Sequence, residues 1–528
     1  MKHMFLKVQL ALFAIVLLVG CGTDKDYLSA LPGNSVLVVK VHVGNLLNES
    51  EVLEDHQISG FMKNSINEMS GESRALMREI LEDSSTSGVD MKQPVYFVLE
   101  SLEQVRGLMI VPIADEAKVK KTLQTLLAEG SLSKNTLLAV QNGINTLQNQ
   151  NGNAIAAFDD EKLVFAFSSG STDALEYMNL SDKAQERPKA LENFIDENVD
   201  MAMYLDYGKL MPLVAAFSRD LNGLDLSLFE QMKITASLNF EKGKASITYK
   251  VDGCQEMEKC YKEIYCKPDN DLVYLLPSDT WAVAQFGIKN LASIKNLFGK
   301  DQALKMDKMF EELNTLLLEK GIQTKVDYDL LNSIQGDVIL GATPFVQQGN
   351  NKLPQAIFVA ECADKKLFDF ATALITQANS NAEKIDNNLY RLDLDTKVDS
   401  CKGYDYFFGF ADGKLFVMPE NLYEQCTSDK NLKGFASDLS DNKVMYSVIK
   451  NNNAGVLDFT VFTKELEKEG KISFIKNADI LRMFELVCVK MEGTTQTEFI
   501  VTTTDAETEV LKQIKDICVK LAITEAVK

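Results

Sequence analysis

The sequence predicts an α+β protein made of two duplicated halves, each a largely antiparallel sheet faced by helices. Segments with strand character outnumber long helical crossovers and come mostly as adjacent pairs, which favours antiparallel pairing over a doubly wound parallel sheet. Predicted strands and helices follow one another in the same order in both halves, shifted by about 245 positions, as at Asn45-Leu46 and Asn290-Leu291. With 46% hydrophobic and 25% charged residues over 528 positions, the composition is that of a globular protein of two or three domains.

The chain begins with a segment typical of bacterial secretion signals. Lys2 and Lys7 precede an apolar run that ends near residue 19, and this run is shorter than the roughly 20 residues that a membrane-spanning helix needs. It stops at Leu18-Val19-Gly20-Cys21, which resembles the lipobox, in which the cysteine thiol receives a diacylglyceryl group. We therefore predict a signal peptide at residues 1–20 and a lipidated N-terminus at residues 21–26. An uncleaved anchor or an ordinary signal peptide is the alternative.

Lipid attachment at Cys21 implies a location for the protein. Acyl chains such as palmitate contribute roughly 0.8 kcal/mol per buried methylene, so several chains hold a protein to a membrane without a spanning helix. We predict an outer-membrane lipoprotein of the cell envelope, on the periplasmic or surface face, whose partner through the N-terminal lipid is the membrane. Asp24 and Asp26 are a weak instance of the acidic signal that directs some lipoproteins to the cell surface, so the leaflet stays open.

The first half is predicted at residues 27–266. The segment Leu31-Pro32-Gly33 leads into its first strand. Asp115 is the predicted N-cap of a helix, because Val119 and Leu123 follow it at helical spacing. The predicted strands of this half cover residues 36–41, 95–98, 108–111, 158–165 (as a hairpin), 234–240 and 245–251.

The second half, predicted at residues 271–528, repeats this order. Asp364 is again the predicted N-cap of an amphipathic helix, and Asp412-Gly413 suits the type I′ turn of a hairpin. The predicted strands of this half cover residues 281–286, 338–340, 356–359, 410–417 (as a hairpin), 487–491 and 498–502. We interpret the agreement as an ancient duplication with a boundary near residues 266–271.

One further helix is predicted within residues 303–320, after the first strand of the second half. Its apolar residues fall on one face, which is typical of a helix that packs into a core. The residues of this predicted core face are Met306, Met309, Phe310, Leu313, Leu316 and Leu317.

Charge and cysteine content exclude several classes of protein. The formal net charge of -21 repels phosphate backbones, so we predict no nucleic-acid partner. The nine cysteines include no CxxC pair, which removes support for a zinc site. Most of the thiols are predicted to be buried small hydrophobes. One or two disulfides stay open, with Cys254, Cys260 and Cys266 as the first candidates.

The order of these elements is similar to that of a known family. The lipobox, the Tyr27-Leu28 and Leu31-Pro32 lead into the first strand, the approach from Ser85 to Phe97 and the duplicated body resemble a Bacteroidetes family of lipoproteins known only as a domain of unknown function. The resemblance covers most of the mature chain. It implies a location and an architecture, and it supplies no activity, cofactor or site residues.

The sequence contains few of the residues on which common enzyme chemistry depends. Beyond the signal, the histidines are His42 and His56, and neither HExxH, GxSxG, a P-loop nor GxGxxG occurs. We therefore predict no catalytic, cofactor-binding or metal-binding residues. Two fainter patterns are interpreted as a Ser-rich loop and a solvated strand face. They are the SxxK spacing of Ser131 and Lys134, and the alternating carboxylates Asp393, Asp395 and Asp399.

These observations favour a non-catalytic binding or interaction protein of the cell envelope, with a cleft or surface for an envelope protein or a ligand. The alternative is a carboxylate-based envelope hydrolase such as a glycosidase, which needs only two acids across a cleft. Sugar rings commonly stack on exposed aromatic side chains. The sequence has a single tryptophan, Trp281, and an aromatic share of only 8%, which speaks against this alternative. A membrane-tethered spacer is the third hypothesis.

Overall fold

A computed structural model describes residues 27–526, except for 68–70, 103–104, 129–135, 169–172, 218–228, 298–299, 324, 349–350, 379–381, 394–404, 429–430, 433, 436–440, 469–477 and 494. The chain is α+β, as predicted, since helices accompany extensive antiparallel sheet. It divides into two compact units. The first contains the described residues up to Leu213 together with Phe229–Gly253 and those from Asp505 onward, and the second is built on Cys254–Thr504. Cys21 and the predicted signal lie outside the described residues.

The strands are numbered in chain order. They are β1 Leu37–Val41, β2 Val95–Ser101, β3 Arg106–Pro112, β4 Leu137–Gln141, β5 Ile144–Gln148, β6 Ala154–Phe158, β7 Lys162–Phe167, β8 Met201–Asp206, β9 Lys233–Glu241, β10 Lys244–Asp252, β11 Tyr265–Cys266, β12 Ala282–Ile288, β13 Ile334–Gln348, β14 Asn351–Cys362, β15 Ala382–Asp386, β16 Leu389–Asp393, β17 Asp405–Ala411, β18 Lys414–Pro419, β19 Thr427–Ser428, β20 Asn431–Leu432, β21 Gly455–Asp458, β22 Phe484–Glu492 and β23 Gln496–Thr503.

The described helices are numbered in the same way. They are α1 Val43–Ser50, α2 His56–Asn67, α3 Gly71–Glu82, α4 Glu116–Ala128, α5 Leu175–Met178, α6 Asp182–Gln185, α7 Lys189–Asp196, α8 Tyr207–Phe217, α9 Gln255–Ile264, α10 Lys300–Glu319, α11 Tyr328–Leu331, α12 Lys366–Ala378, α13 Glu420–Cys426, α14 Lys443–Asn451, α15 Phe459–Lys468, α16 Ala478–Met483 and α17 Val510–Ala526. None of them is both long and apolar enough to cross a bilayer.

The first unit is a sheet in the order β4-β5-β6-β7-β3-β2-β1-β8-β9-β10, antiparallel throughout. Strand alternation turns Val38, Tyr96 and Ile110 to one face, where they pack with Tyr177 and Phe194 from the short helices. The opposite face packs at one end against α1, α3 and α4. Each large apolar side chain buried in this way contributes roughly 1.5–3 kcal/mol.

The second unit has a sheet in the order β15-β16-β17-β18-β14-β13-β12-β21-β22-β23, also antiparallel. The order is the same as in the first unit when β12–β18 are matched with β1–β7, and β21–β23 with β8–β10. One face packs with the turn Asp271–Leu275 and with α13 and α14. On the other face Phe368 of α12 stacks on Phe408, with ring centroids 5.0 Å apart.

Several local predictions are confirmed. Asp115 caps α4 by accepting a hydrogen bond from the Lys118 N–H at 3.1 Å. Asp412 and Gly413 both have positive φ, 51° and 70°, as a type I′ turn requires. The predicted pairing of residues 234–240 with 245–251 appears in register between β9 and β10.

The compact units do not coincide with the predicted halves, 27–266 and 271–528. Helix α9 belongs to the second unit, where the Cys260 Sγ contacts the Asn296 carbonyl oxygen at 3.4 Å. Helix α17 belongs to the first unit and packs on α1, with an ion pair of 2.6 Å between Lys512 and Glu51. Contacts between residues distant in sequence decide both placements, so the position of a helix along the chain does not reveal its partner.

The predicted core face of residues 303–320 is corrected by the structure. Helix α10 buries Leu317 and half-buries Phe310, which packs against Tyr328 with ring centroids 5.2 Å apart. Met309 and Leu316 remain 55% and 59% exposed. The contact stripe is therefore narrower than the apolar stripe, and helical periodicity alone does not report the width of a contact.

Candidate functional site

The second unit exposes an apolar part of its sheet. Val283 and Ile339 turn to the buried core, whereas their neighbours Ala284 and Leu340 lie opposite each other on the other face. Leu340 is 49% exposed and Phe286 is 45% exposed. Exposed apolar area of this kind is typical of binding sites.

A groove of about 320 Å³ runs along this face. Residues of β12, β13, β14, β21 and β22 line it, and every one is Ala, Gly, Val or Leu, so no polar side chain contributes to its walls. Gly455 lies on this face opposite Ala284. A Cβ added at Gly455 would lie 3.7 Å from the Val283 oxygen, which is an ordinary contact, so a larger side chain there would project into the groove.

Small residues create the groove, as the equivalent strands of the first unit show. In the first unit Val39 of β1 lies between Phe97 of β2 and Met203 of β8. In the second unit Ala284 lies between Leu340 and Gly455 on the corresponding strands. Ala and Gly in the second unit therefore stand at positions where the first unit has Val and Met.

A second cavity, of about 460 Å³, adjoins the groove along the same strands. One edge of β12 pairs with β21 at residues 282–284 and with β11 at residues 287–288. The interval between these pairings opens the cavity, whose apolar lining includes Phe286 and Met491. Its lining also includes Lys262, Lys267 and Lys490 and one acidic residue, Glu492, so it differs from the groove in carrying charged side chains.

The three lysines differ in their pairing. The Lys262 ammonium contacts Glu258 at 2.6 Å, and Lys490 is paired with Glu492, which raises the pKa of Lys490. Lys267 is exposed and has no ion-pair partner within the described part of the chain. Lys267 is therefore the lysine of the cavity that is available to an anionic group.

A network of hydrogen bonds between polar side chains connects β12 to the residues before β21, beside this cavity. The Gln285 amide donates to the Asn270 Oδ1 at 2.6 Å and to the Asn453 carbonyl oxygen at 3.2 Å. The Asn453 amide in turn donates to the Ser447 Oγ at 2.9 Å. These hydrogen bonds hold Gln285, which lines the cavity, to the segments that contain Asn270 and Asn453.

One pair of carboxyl groups in the second unit has strongly different pKa values. Burial and a hydrogen bond with Asp269 raise the pKa of Asp337 to about 7, whereas the Asp271 backbone N–H and Asp337 lower the pKa of Asp269. The Asp337 carboxylate also accepts the Asp269 N–H at 2.9 Å. Two hydrogen-bonded carboxyls cannot flank a glycosidic bond, which requires roughly 5–10 Å between them. The pair instead fastens the segment before β12 to β13.

The first unit contains a further titratable group. Burial, followed by the nearby charges of Asp200 and Glu509, raises the pKa of Glu49 to about 7. Burial lowers the pKa of His42. Across the described residues no group of three or more His, Cys, Asp or Glu side chains is arranged to hold a metal ion.

The residues singled out from the sequence have different outcomes. Cys21, Ser131, Lys134, Asp395 and Asp399 lie outside the described residues, and Asp393 ends β16. Cys260 and Cys266 carry free thiols, and Cys426 and Cys488 pack in the apolar core as predicted. The groove was missed, although the small residues of the β12 and β21 segments, Ala282, Ala284 and Gly455, were a visible signal.

Comparison with known proteins gives a family and little more. No curated protein matches the chain. The solved structure of crystal form III of TP0453 is similar over 43% of this chain and 80% of that one, with 11% identity and a TM-score of 0.24, too low to carry an argument. The model of a family described as a domain of unknown function, DUF4836, matches residues 27–506. Because that match spans most of the sequence, the chain belongs to the DUF4836 family.

Proposed function

We propose that this chain is an exported lipoprotein of the Bacteroidetes cell envelope, anchored through Cys21, which binds an apolar ligand in the groove of its second unit. The proposal is of a binding protein and not of an enzyme. A glycosidase needs two acidic side chains across a cleft. Among the described residues that line the groove, none is acidic.

The observation that carries the proposal is the lining of the groove. Walls made only of Ala, Gly, Val and Leu present no polar side chain to a substrate, so we expect ligand affinity to come mainly from apolar contact. Such contact contributes roughly 25 cal/mol per Å² of apolar surface removed from water. The groove volume lies at the lower end of the range of about 300–1,000 Å³ that is common for ligand sites.

We also propose that the two halves arose by duplication. Both units carry the same order of ten antiparallel strands, and both show a hairpin, a capped helix and a closing strand pair at corresponding places. On this proposal, the halves diverged at the face that in the second unit became the groove, where Leu340, Ala284 and Gly455 replace the bulkier Phe97, Val39 and Met203.

Binding of an uncharged apolar dye tests the groove. The chain with Cys21→Ser, which needs no detergent, is titrated with N-phenyl-1-naphthylamine while its fluorescence is recorded. We expect saturable binding that Gly455→Leu weakens at least tenfold, because the added side chain occupies the groove. Gly60→Leu is the matched control, since a side chain at Gly60 of α2 meets open space.

If a correctly folded Gly455→Leu variant binds the dye with unchanged affinity, the ligand lies elsewhere and the groove is not the binding site. Thermal unfolding of both variants, followed by circular dichroism, establishes that each is folded.

Membrane fractionation tests the anchor separately. The native protein is expected to remain with membranes after high-salt washing, and its N-terminal peptide to carry acyl mass. Cys21→Ser should release the protein into the soluble fraction. Tight attachment of the variant to membranes would refute lipid anchoring.

A further inference from the structure

We infer that the ligand is a free long-chain fatty acid, with its acyl chain in the groove and its carboxylate beside Lys267 in the adjoining cavity. This inference rests on the proposed function and adds the chemical class of the ligand. It combines the apolar groove with the positive charge at one end of that groove, since either feature alone suits many ligands.

The residues that line the two spaces are neighbours on the same strands. Gly455 lines the groove and its neighbour Ala454 lines the cavity. On β22, Val489 lines the groove, and Lys490 and Met491 line the cavity. Because a strand rises about 3.3 Å per residue, the two spaces are separated by only one or two residues. On this inference, an unbranched chain extends from the groove into the cavity.

The two spaces have the size of small-molecule sites. The groove is an open space of about 320 Å³ and the cavity one of about 460 Å³, and both volumes lie in the usual size range of small-molecule sites. Phe286 and Met491 keep the cavity apolar next to its lysines. A ligand with an apolar chain and one polar end fits an apolar groove that lies next to a cavity with charged side chains.

The charge at the cavity favours an anionic end. The protein as a whole carries a net charge of -21, which repels anions in general. Lys262 and Lys490 are each paired with a glutamate, whereas none of the described residues forms an ion pair with Lys267. Since Lys267 is exposed, its ion pair with a carboxylate is expected to change affinity by roughly fivefold and no more.

Displacement of N-phenyl-1-naphthylamine from the chain with Cys21→Ser tests the inference. Oleate, oleyl alcohol and an oleoyl lysophosphatidate are compared at one pH and one ionic strength, below their aggregation concentrations. We expect oleate to displace the dye at a concentration roughly fivefold lower than oleyl alcohol does. Lys267→Gln should remove this difference, and Lys384→Gln, on the exposed edge strand β15, should preserve it.

Each outcome has a distinct meaning. Equal displacement by oleate and the alcohol would overturn the carboxylate site while leaving the apolar groove in place. Displacement by lysophosphatidate without displacement by oleate would overturn the fatty acid in favour of a phosphate head group. Dye binding that Gly455→Leu does not weaken would overturn the proposed function itself.

Discussion

At the scale of single residues, the first unit contains a partly buried carboxyl group near other carboxylates. Glu49 lies on α1, partly buried, where Asp200 and Glu509 add negative charge. Burial and like charges both disfavour the ionised form, so both raise the pKa of Glu49, to about 7. Folding is therefore linked to pH in the neutral range.

The sign of this linkage gives a prediction. The pKa of Glu49 is near 4.5 when unfolded and about 7 when folded, so its stabilisation is complete below pH 4.5 and is lost as pH rises through 7. Because Glu49 is partly exposed, we expect about 1 kcal/mol, or a few degrees in the midpoint of thermal unfolding. Glu49→Gln should raise that midpoint at pH 8 and leave it unchanged at pH 4.

The exposed Glu54 provides a matched control, since Glu54→Gln changes the same formal charge on the segment after α1. Differential scanning calorimetry between pH 4 and pH 8 measures both variants. A midpoint for Glu49→Gln that follows the parent at every pH would show that Glu49 is ionised without penalty.

At the scale of secondary-structure elements, local sequence specified turns and caps well and burial poorly. Asp115 and the Asp412-Gly413 pair occupy the positions predicted for them, because a cap or a turn depends on only a few neighbouring residues. The exposure of α10 depends on which elements cover it. Its apolar stripe extends past the residues that contact α11 and α12, so Met309 is left in solvent.

The turn at Gly413 yields a prediction for one element. Its φ of 70° favours glycine, and the nearest atom to an added Cβ, the Cys362 oxygen, is 3.8 Å away, so a substitution suffers backbone strain without a steric clash. We expect Gly413→Ala to lower the free energy of unfolding by about 1 kcal/mol. Gly60→Ala, within helix α2, should have the opposite sign, because alanine is the better helix former.

Urea unfolding followed by circular dichroism measures both glycine variants. Equal stability of Gly413→Ala and the parent would contradict a strained type I′ turn.

At the scale of the whole molecule, each compact unit is built from stretches that are not consecutive in the chain. Residues from Asp505 onward return to the first unit after the second is complete. The Lys512–Glu51 and Lys515–Asp55 ion pairs, 2.6 and 3.3 Å long, join α17 to the segment after α1. Completion of the first unit therefore requires residues that follow the second unit in the chain.

Deletion of residues 505–528 tests this arrangement. We expect the thermal unfolding transition of the first unit to fall by several degrees, because α1 loses the helix that packs on it. The fluorescence of Trp281, the single tryptophan and a residue of the second unit, should change less than the circular dichroism. An unchanged circular dichroism transition would show that α17 adds no stability to the first unit.

The sequence by itself determined the α+β class, the strand pairs, the caps and the hairpin turn, because these depend on periodicity and on residues close together in the chain. Its prediction of a lipid at Cys21 stays a prediction. Only the tertiary structure decided that α17 joins the first unit, that α10 is largely exposed and that a groove forms at Gly455. The physical reason is that strands such as β12 and β13 are apolar on both faces, so alternation separates the two faces but does not show which is covered. Coverage is set by contacts between residues far apart in the chain.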